Sequence, residues 1–314
     1  MSRNTQPSVR PSTQANVQAD VHSGTQPTVP PATRPNVYVI TGGAGGMGYA
    51  TALRLGKCKN TVLLLSDISE ELLAEAQSNL AKEGITAETL VCDVSDPDDS
   101  LALADRAAEL GTVRGVVHTA GVSPSMDDYK KILEINALGT IYVDRAFLPL
   151  ASEGFTLVNV ASMAAYMLPK AMLPTGAYKA VKDGPSRLFT KLERRCRMMP
   201  AKMRPQMAYP ISKNFVTWYT RHLAPVFGEV GAHIVSVSPG SFDTRMGQLE
   251  KDAGAGAMIN FAAIKRFGNP DEIASLLAWL VCDSPIYLTG TDILIDGGVV
   301  ASMTLKDMMA VGKS

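Results

Sequence analysis

Asn36-Val37-Tyr38-Val39-Ile40-Thr41-Gly42-Gly43-Ala44-Gly45-Gly46-Met47-Gly48 passes from β-branched and aromatic residues into five glycines within seven positions. The first part has the composition of a short buried strand. A helical pattern follows over residues 49–56. Strand, glycine turn and helix in that order form a cradle for a pyrophosphate. The glycines let the main chain turn tightly and approach the phosphates, and the helix N-terminus offers unpaired N–H groups and partial positive charge. A glycine run alone signals only a flexible turn; the flanking strand and helix supply the context that a dinucleotide site requires.

The next strand-like run, residues 61–65, ends at Ser66-Asp67, about twenty residues beyond the glycines, where an acid accepts hydrogen bonds from adenosine ribose hydroxyls. Asp67 would also repel a 2′-phosphate, and no Lys or Arg lies between Gly42 and Gly48 to offset that repulsion. These residues predict NAD rather than NADP. The alternative role for Asp67 is as the cap of a helix over residues 68–80. A third strand-like run, 89–92, ends at Asp93, which reads as an adenine contact or as an ordinary turn residue.

Apolar runs and helical patterns then alternate. Residues 113–118, 155–160, 232–237 and 292–295 are strand-like, and 129–151, 210–227 and 271–282 are helical. Such alternation predicts an α/β fold: a doubly wound, Rossmann-like parallel sheet with right-handed crossovers and helices on both faces. In these sheets the ligand lies beyond the carboxyl ends of the strands.

Within 208–213, Ala-Tyr-Pro-Ile-Ser-Lys, Tyr209 and Lys213 stand four apart where a helix is predicted to begin, with Pro210 in its first turn. Residues so spaced share a helix face, with Cβ atoms roughly 5–6 Å apart. A tyrosine that exchanges protons near neutral pH needs its pKa lowered from about 10 towards about 7, worth about 4 kcal/mol. One cation about 4 Å away at an effective dielectric near 20 supplies that.

The ordered set of Thr41, Gly42, Gly46 and Gly48, Asp67, Asp93, Ala120-Gly121, Asn136, Ser162, Tyr209 with Lys213, and Pro239-Gly240 with Thr244 resembles the short-chain dehydrogenase/reductase family over about residues 36–300. The resemblance implies that Tyr209 exchanges a proton with the substrate oxygen and that Lys213 lowers the tyrosine pKa and holds the nicotinamide ribose. It implies that Ser162 orients the carbonyl and that Asn136 positions a water relaying protons to Lys213. Pro239, Gly240 and Thr244 would seat the nicotinamide end. Met47, Val94 and Phe242 fall among the cofactor contacts by the same likeness. Hydride transfer changes the charge on the substrate oxygen, so the site needs an aimed hydrogen-bond donor and a proton source of matched pKa. Ser162 and Tyr209 meet both needs. Taken singly, Ser162 also reads as a turn residue, Asn136 as a satisfied helix polar group and Thr244 as a helix cap.

Two departures from the family pattern stand out. His118-Thr119 replaces the two asparagines common before the Ala-Gly pair, and His118 reads as a strand-end residue bonded to backbone rather than a base. The larger departure is a 46-residue insertion, 163–208, where the family has a short loop. It contains Tyr178 and Lys182 at the same spacing, but Asp183-Gly184-Pro185 would break that helix within a turn, so Tyr209 is preferred. The insertion is basic and rich in methionine around 191–204. It reads as a lid over a flat hydrophobic substrate, as a surface for an anionic membrane or acidic partner, or as a solvated helix. Its position is similar to that in the branch containing bacterial 3α-hydroxysteroid dehydrogenase/carbonyl reductase, which suggests a hydroxysteroid or other bulky substrate. The family resemblance implies a homo-oligomer, dimer or tetramer. The helices flanking the insertion usually pair across the dimer, which puts that arrangement in doubt.

Composition bounds the rest. Residues 1–36 hold six prolines and a single acid, Asp20, and are expected to be a disordered tail; a transit peptide is disfavoured by those prolines and the lack of an amphipathic face. Residues 37–300 form the expected oxidoreductase domain and 301–314 a C-terminal tail, its Met308–Val311 part expected over the substrate mouth or a subunit contact. Formal charge is balanced at 30 basic and 30 acidic residues, which gives nucleic-acid binding no support outside the insertion. No run spans a membrane. Cys58, Cys92, Cys196 and Cys282 show no metal or disulfide spacing, which suits a reducing, cytoplasmic setting. The reading is an NAD(H)-dependent oxidoreductase for secondary alcohols and ketones, without a metal. Its alternative is a non-catalytic NAD-binding regulator that uses the basic insertion as a partner surface.

Overall fold

The computed structural model describes residues 34–252, 255–304 and 307. The expected disorder of 1–36 therefore falls almost wholly outside the described residues, as does the placing of Met308–Val311. Among the described residues seven strands form one parallel sheet: β1 Asn36–Thr41, β2 Thr61–Asp67, β3 Ala87–Val91, β4 Thr112–His118, β5 Thr156–Val160, β6 His233–Pro239 and β7 Asp292–Ile295. Their order is β3-β2-β1-β4-β5-β6-β7, so the direction of winding reverses between β1 and β4. This is the doubly wound, Rossmann-like architecture read from the alternation.

The helices are α1 Gly46–Leu55, α2 Glu70–Lys82, α3 Pro97–Leu110, α4 Tyr129–Leu133, α5 Gly139–Phe147, α6 Thr175–Tyr178, α7 Pro185–Arg197, α8 Arg204–Glu229, α9 Arg245–Asp252, α10 Pro270–Cys282 and α11 Val299–Ser302. Local chemistry explains their starts. Ser69 accepts from Leu72 N at the head of α2, Asp96 precedes Pro97 at the head of α3, and Asn269 with Glu272 closes a capping box on α10. Along β1 the side chains alternate: Tyr38 and Ile40 pack with Leu55, Ile273 and Leu277 of α1 and α10. Val37 and Val39 pack on the opposite face with Leu103, Val143 and Phe147 of α3 and α5. β5 and β6 are buried along their whole lengths, as parallel strands covered on both faces must be.

Several elements differ from expectation. Helix α3 arises from residues 97–110, for which no element was predicted. The expected continuous helix 129–151 is split by a π-helical turn, Glu134–Leu138. Helix α8 begins at Arg204 with Pro205 in its first turn, so Pro210 lies inside it rather than at its head. Part of the segment 163–208, read above as an insertion, packs onto the sheet domain: Leu188, Leu192 and Cys196 of α7, spaced four apart, are buried against Ile132, Leu133, Phe215 and Tyr219 of α4 and α8.

Candidate active site

The glycine turn sits where the winding reverses. Gly42 has φ +64°, and a Cβ there would lie 2.9 Å from Ala120 N. A Cβ on Gly48 would lie 2.3 Å from Gly42 O, so the first turn of α1 closes on the end of β1 only with hydrogen at that position. Gly46, φ +53°, begins α1, and its missing Cβ would stand 3.6 Å from Thr244. The loops after β1, β4 and β6 therefore converge on one turn.

Asp67 ends β2. Its Oδ2 accepts from Ala44 N at 3.4 Å and its Oδ1 from Ile68 N at 2.8 Å. The cap of α2 is Ser69, so Asp67 does not serve as that cap. Its carboxylate is instead tethered over the glycine turn. Asp93 Oδ1 accepts from the Ser95 main chain at 2.9 Å and hydroxyl at 2.6 Å, and Lys131 lies 3.7 Å from its carboxylate. Burial opposes ionisation of Asp93, but these bonds and Lys131 hold its pKa below the usual carboxylate range. Val94 and Phe242 turn their side chains into the core, Val94 against Gly139 and Phe242 against Gly268, so a contact from either to a cofactor would be made by main chain. Met47 is half-buried against the α1 side of the core. Pro239 closes β6, and Gly240 follows with its N–H on Ile295 O, so close to Asp296 that a Cβ would lie 2.6 Å from its Cα. Thr244 Oγ1 accepts from Gly247 N at 3.1 Å, so it caps α9 while facing the glycine turn.

Tyr209 and Lys213 lie one turn apart on α8. Lys213, only 6% exposed, donates to Val160 O at 3.0 Å. A Cβ on Gly121 would stand 3.0 Å from Asn136 Oδ1 and 3.1 Å from Lys213 Nζ, so the amide and the ammonium meet over that glycine. Asn136 lies in the π turn, whose widened backbone presents it inward. Its side chain exchanges bonds with Val122 N and O, both 2.9 Å, and donates to Ser212 Oγ at 3.3 Å. Ser212 in turn donates to Tyr209 O at 2.8 Å, a link that the sequence reading missed although Ser212 adjoins Lys213. Ser162 lies two residues beyond the carbonyl held by Lys213; its Oγ accepts from Ala164 N at 3.1 Å, and Asn214 of α8 donates to Ala165 O at 3.0 Å. Ser162, Asn136 and Lys213 thus lie beyond the carboxyl ends of β4 and β5, with Tyr209 one turn before Lys213 on α8.

Tyr178 belongs elsewhere. It is fully buried, and its hydroxyl donates towards Ile211 O and Asn214 Oδ1, both at 3.1 Å, while Lys182 is exposed within the 3-10 turn Lys179–Asp183. Burial raises the Tyr178 pKa, the wrong direction for an acid–base group. His118 bonds the Thr41 hydroxyl at 2.7 Å rather than the expected backbone group, and burial followed by repulsion from Lys213 lowers its pKa to about 3. It is a neutral prop for the turn.

Beyond Ser162, the loops after β5, β6 and β7 meet in an apolar cluster of Met163, Met167, Met258, Phe261, Val299 and Met303. The methionines around 191–204, for which a lid over the substrate is one of the expected roles, do not join this cluster: Met198 and Met203 are exposed to solvent. Among the described residues no cluster of acids, histidines and cysteines is suited to hold a metal, and no helix is long and apolar enough to cross a membrane.

Residues 36–199 match the family model described as short chain dehydrogenase, and 198–300 match that described as Enoyl-(Acyl carrier protein) reductase. The chain is 32% identical over 267 residues to the short-chain dehydrogenase/reductase bsc3 of Alternaria brassicicola, covering 83% of this chain and 95% of that protein. It is 26% identical to 3beta-hydroxysteroid dehydrogenase 2 of Eggerthella lenta, covering 83% and 93%. A short-chain dehydrogenase from Burkholderia cenocepacia J2315, solved in complex with NADP, superposes with a TM-score of 0.66 at 26% identity, covering 83% of this chain and 96% of that one.

Proposed function

From the premise that this chain belongs to the short-chain dehydrogenase/reductase family and is an oxidoreductase, we propose that it interconverts a secondary alcohol and a ketone with NAD(H). One observation supports the proposal: Lys213 Nζ and Asn136 Oδ1 both flank the bare Cα of Gly121 after β4, and Lys213 lies one helical turn from Tyr209. The glycine turn fits a dinucleotide, because Gly42, Gly46 and Gly48 leave the main chain bare where a pyrophosphate approaches. When bound, the nicotinamide supplies or takes up a hydride. Tyr209 donates a proton to the substrate oxygen in reduction and accepts it in oxidation. Lys213 stabilises the phenolate left behind, and Ser162 donates a hydrogen bond to the same oxygen. Asn136 holds the loop after β4 and, with Ser212, the main chain at Tyr209.

The choice of NAD rests on Asp67, whose carboxylate is fixed to the glycine turn through Ala44 N where a 2′-phosphate would come. The NADP-bound relative shows that the shared fold does not by itself make this choice. A bulky apolar substrate, hydroxysteroids included, fits the methionine-rich wall beside Ser162, since thioether chains adapt to flat apolar surfaces. The hydroxysteroid relative points the same way. The regulator reading is not favoured, because Tyr209 and Lys213 are both retained, one helical turn apart on α8. The test is NADH absorbance with hydroxysteroids and smaller ketones for wild type and Tyr209→Phe. The variant is expected to lose about a hundredfold or more in turnover with NADH binding retained. A fully active Tyr209→Phe protein would reject the assignment, and stronger thermal stabilisation by NADPH than by NADH would reject the role given to Asp67.

A further inference from the structure

The inserted segment carries a charge that the rest of the molecule does not share. Residues 163–208 hold ten Lys and Arg against two acids, Asp183 and Glu193, in a chain balanced at 30 each. One of those acids is already engaged, because Glu193 faces Lys130 at 3.5 Å. Helix α7 turns Leu188, Leu192 and Cys196 inward, which leaves Arg187, Lys191, Arg194 and Arg197 exposed outward and Arg195 half-buried beside them. Among the described residues none of these five forms an ion pair.

Lys191, Arg194 and Arg195 line a shallow depression with Pro174, Ala177 and Met198. Arg195 reaches across it to the Met172 carbonyl at 3.4 Å. Exposed methionines accompany the cations: Met198, at 63%, lines the depression and Met172, at 36%, is the residue Arg195 reaches, while Met203, at 40%, is exposed in the turn that follows α7. An acidic protein surface would satisfy the charges but leave three thioether chains against polar groups. An anionic bilayer satisfies both, with phosphates meeting the cations and methionines entering the headgroup boundary. The apolar face of α7 is committed to the core, so the contact lies on the surface and does not insert a helix.

We propose that the outer face of the insertion, α7 with the turns at Met172 and Met203, docks the enzyme on membranes rich in anionic phospholipid. Docking is reversible, salt-sensitive and independent of the catalytic reading given above.

Co-sedimentation of the full-length protein with vesicles tests this. Vesicles of phosphatidylcholine with 40% phosphatidylglycerol, about the anionic fraction at which such attraction is strong, should pellet the protein at low salt, and pure phosphatidylcholine should not. Raising salt to about 0.5 M should release it. Lys191→Ala with Arg194→Ala should weaken partitioning by about tenfold or more at unchanged melting temperature, since each cation near such a surface contributes about 1 kcal/mol. Met198→Ser should weaken it further without altering the salt dependence. Equal binding of wild type and the double variant, binding indifferent to lipid charge, or capture by an acidic polypeptide with no vesicle binding would each overturn the proposal.

Discussion

Two tyrosines, each followed four residues later by a lysine, show how burial separates structural from chemical groups. Tyr178 spends its hydroxyl on Ile211 O and Asn214 Oδ1 inside the core, whereas Tyr209 stays half-buried on the face of α8 that also carries Lys213. The sequence made this distinction legible through Gly184-Pro185, which cannot continue a helix after Lys182. What it could not show is the tie from Asn136 through Ser212 to the Tyr209 main chain, because the bond from Asn136 to Ser212 joins positions 76 apart. A second buried group makes its own prediction. Asp144 of α5 is fully buried, and burial, opposed by a bond from Asn159, pushes its pKa from 3.8 to about 8. Between those values the folded chain holds a proton that the unfolded chain releases. The stability from this proton is complete below about pH 4 and drains away as pH rises towards 8, at up to about 1.4 kcal/mol per pH unit. Asp144→Asn should flatten that slope and raise stability at pH 8, as urea melts at pH 5 and pH 8 would record. An unchanged slope in the variant would assign it to other groups.

Among the elements, those with strong apolar periodicity or clear caps were readable and those that depend on tertiary partners were not. Helix α3 buries Ser100, Leu103, Ala104 and Ala107, a face of mostly small residues with little hydrophobic contrast. The π turn at Asn136 has no local signature, because it is stabilised by the bonds that Asn136 makes with Val122. The early start of α8 has a local cause: Pro205 occupies the first turn, and the 3-10 turn Ala201–Met203 leads into it. Within the insertion, Gly184 has φ +110° and ψ 156° and separates the 3-10 turn Lys179–Asp183 from α7, with no atom within 4 Å of a would-be Cβ. Space is free there, so substitution acts through backbone strain alone. Gly184→Ala is expected to cost about 1–3 kcal/mol, seen as a lower urea midpoint, while Gly176→Ala, in open space without positive φ, costs much less. Equal effects of the two would mean that the turn adapts.

Across the whole molecule the alternation of strands and helices was enough to give the parallel sheet and the edge on which the site lies, since right-handed crossovers leave few other ways to wind it. Contacts between distant segments were not available in this way: the Cys58 and Cys282 sulfurs approach to 3.8 Å from positions 224 apart, and no spacing rule joins them. The nucleotide site depends on the same long-range assembly. Its glycine turn is clasped by Ala120 after β4 and Thr244 after β6, so a bound dinucleotide should tie the β1–β3 half of the sheet to the β4–β7 half. Binding at a hundred times the dissociation constant adds about 2.7 kcal/mol to the stability of the folded state. For a domain of this size that corresponds to a melting temperature raised by roughly 5–10 °C. Gly48 is where this coupling is most exposed to test, because its Cβ would collide with Gly42 O at 2.3 Å and force the turn open. Gly48→Ala should lower the melting temperature of the free protein by a few degrees and remove most of the NADH-induced rise, measured at matched cofactor concentrations. A variant that keeps the full rise would show that the cofactor is held without the close approach of α1 to β1, and the site would have to be sought elsewhere on the sheet.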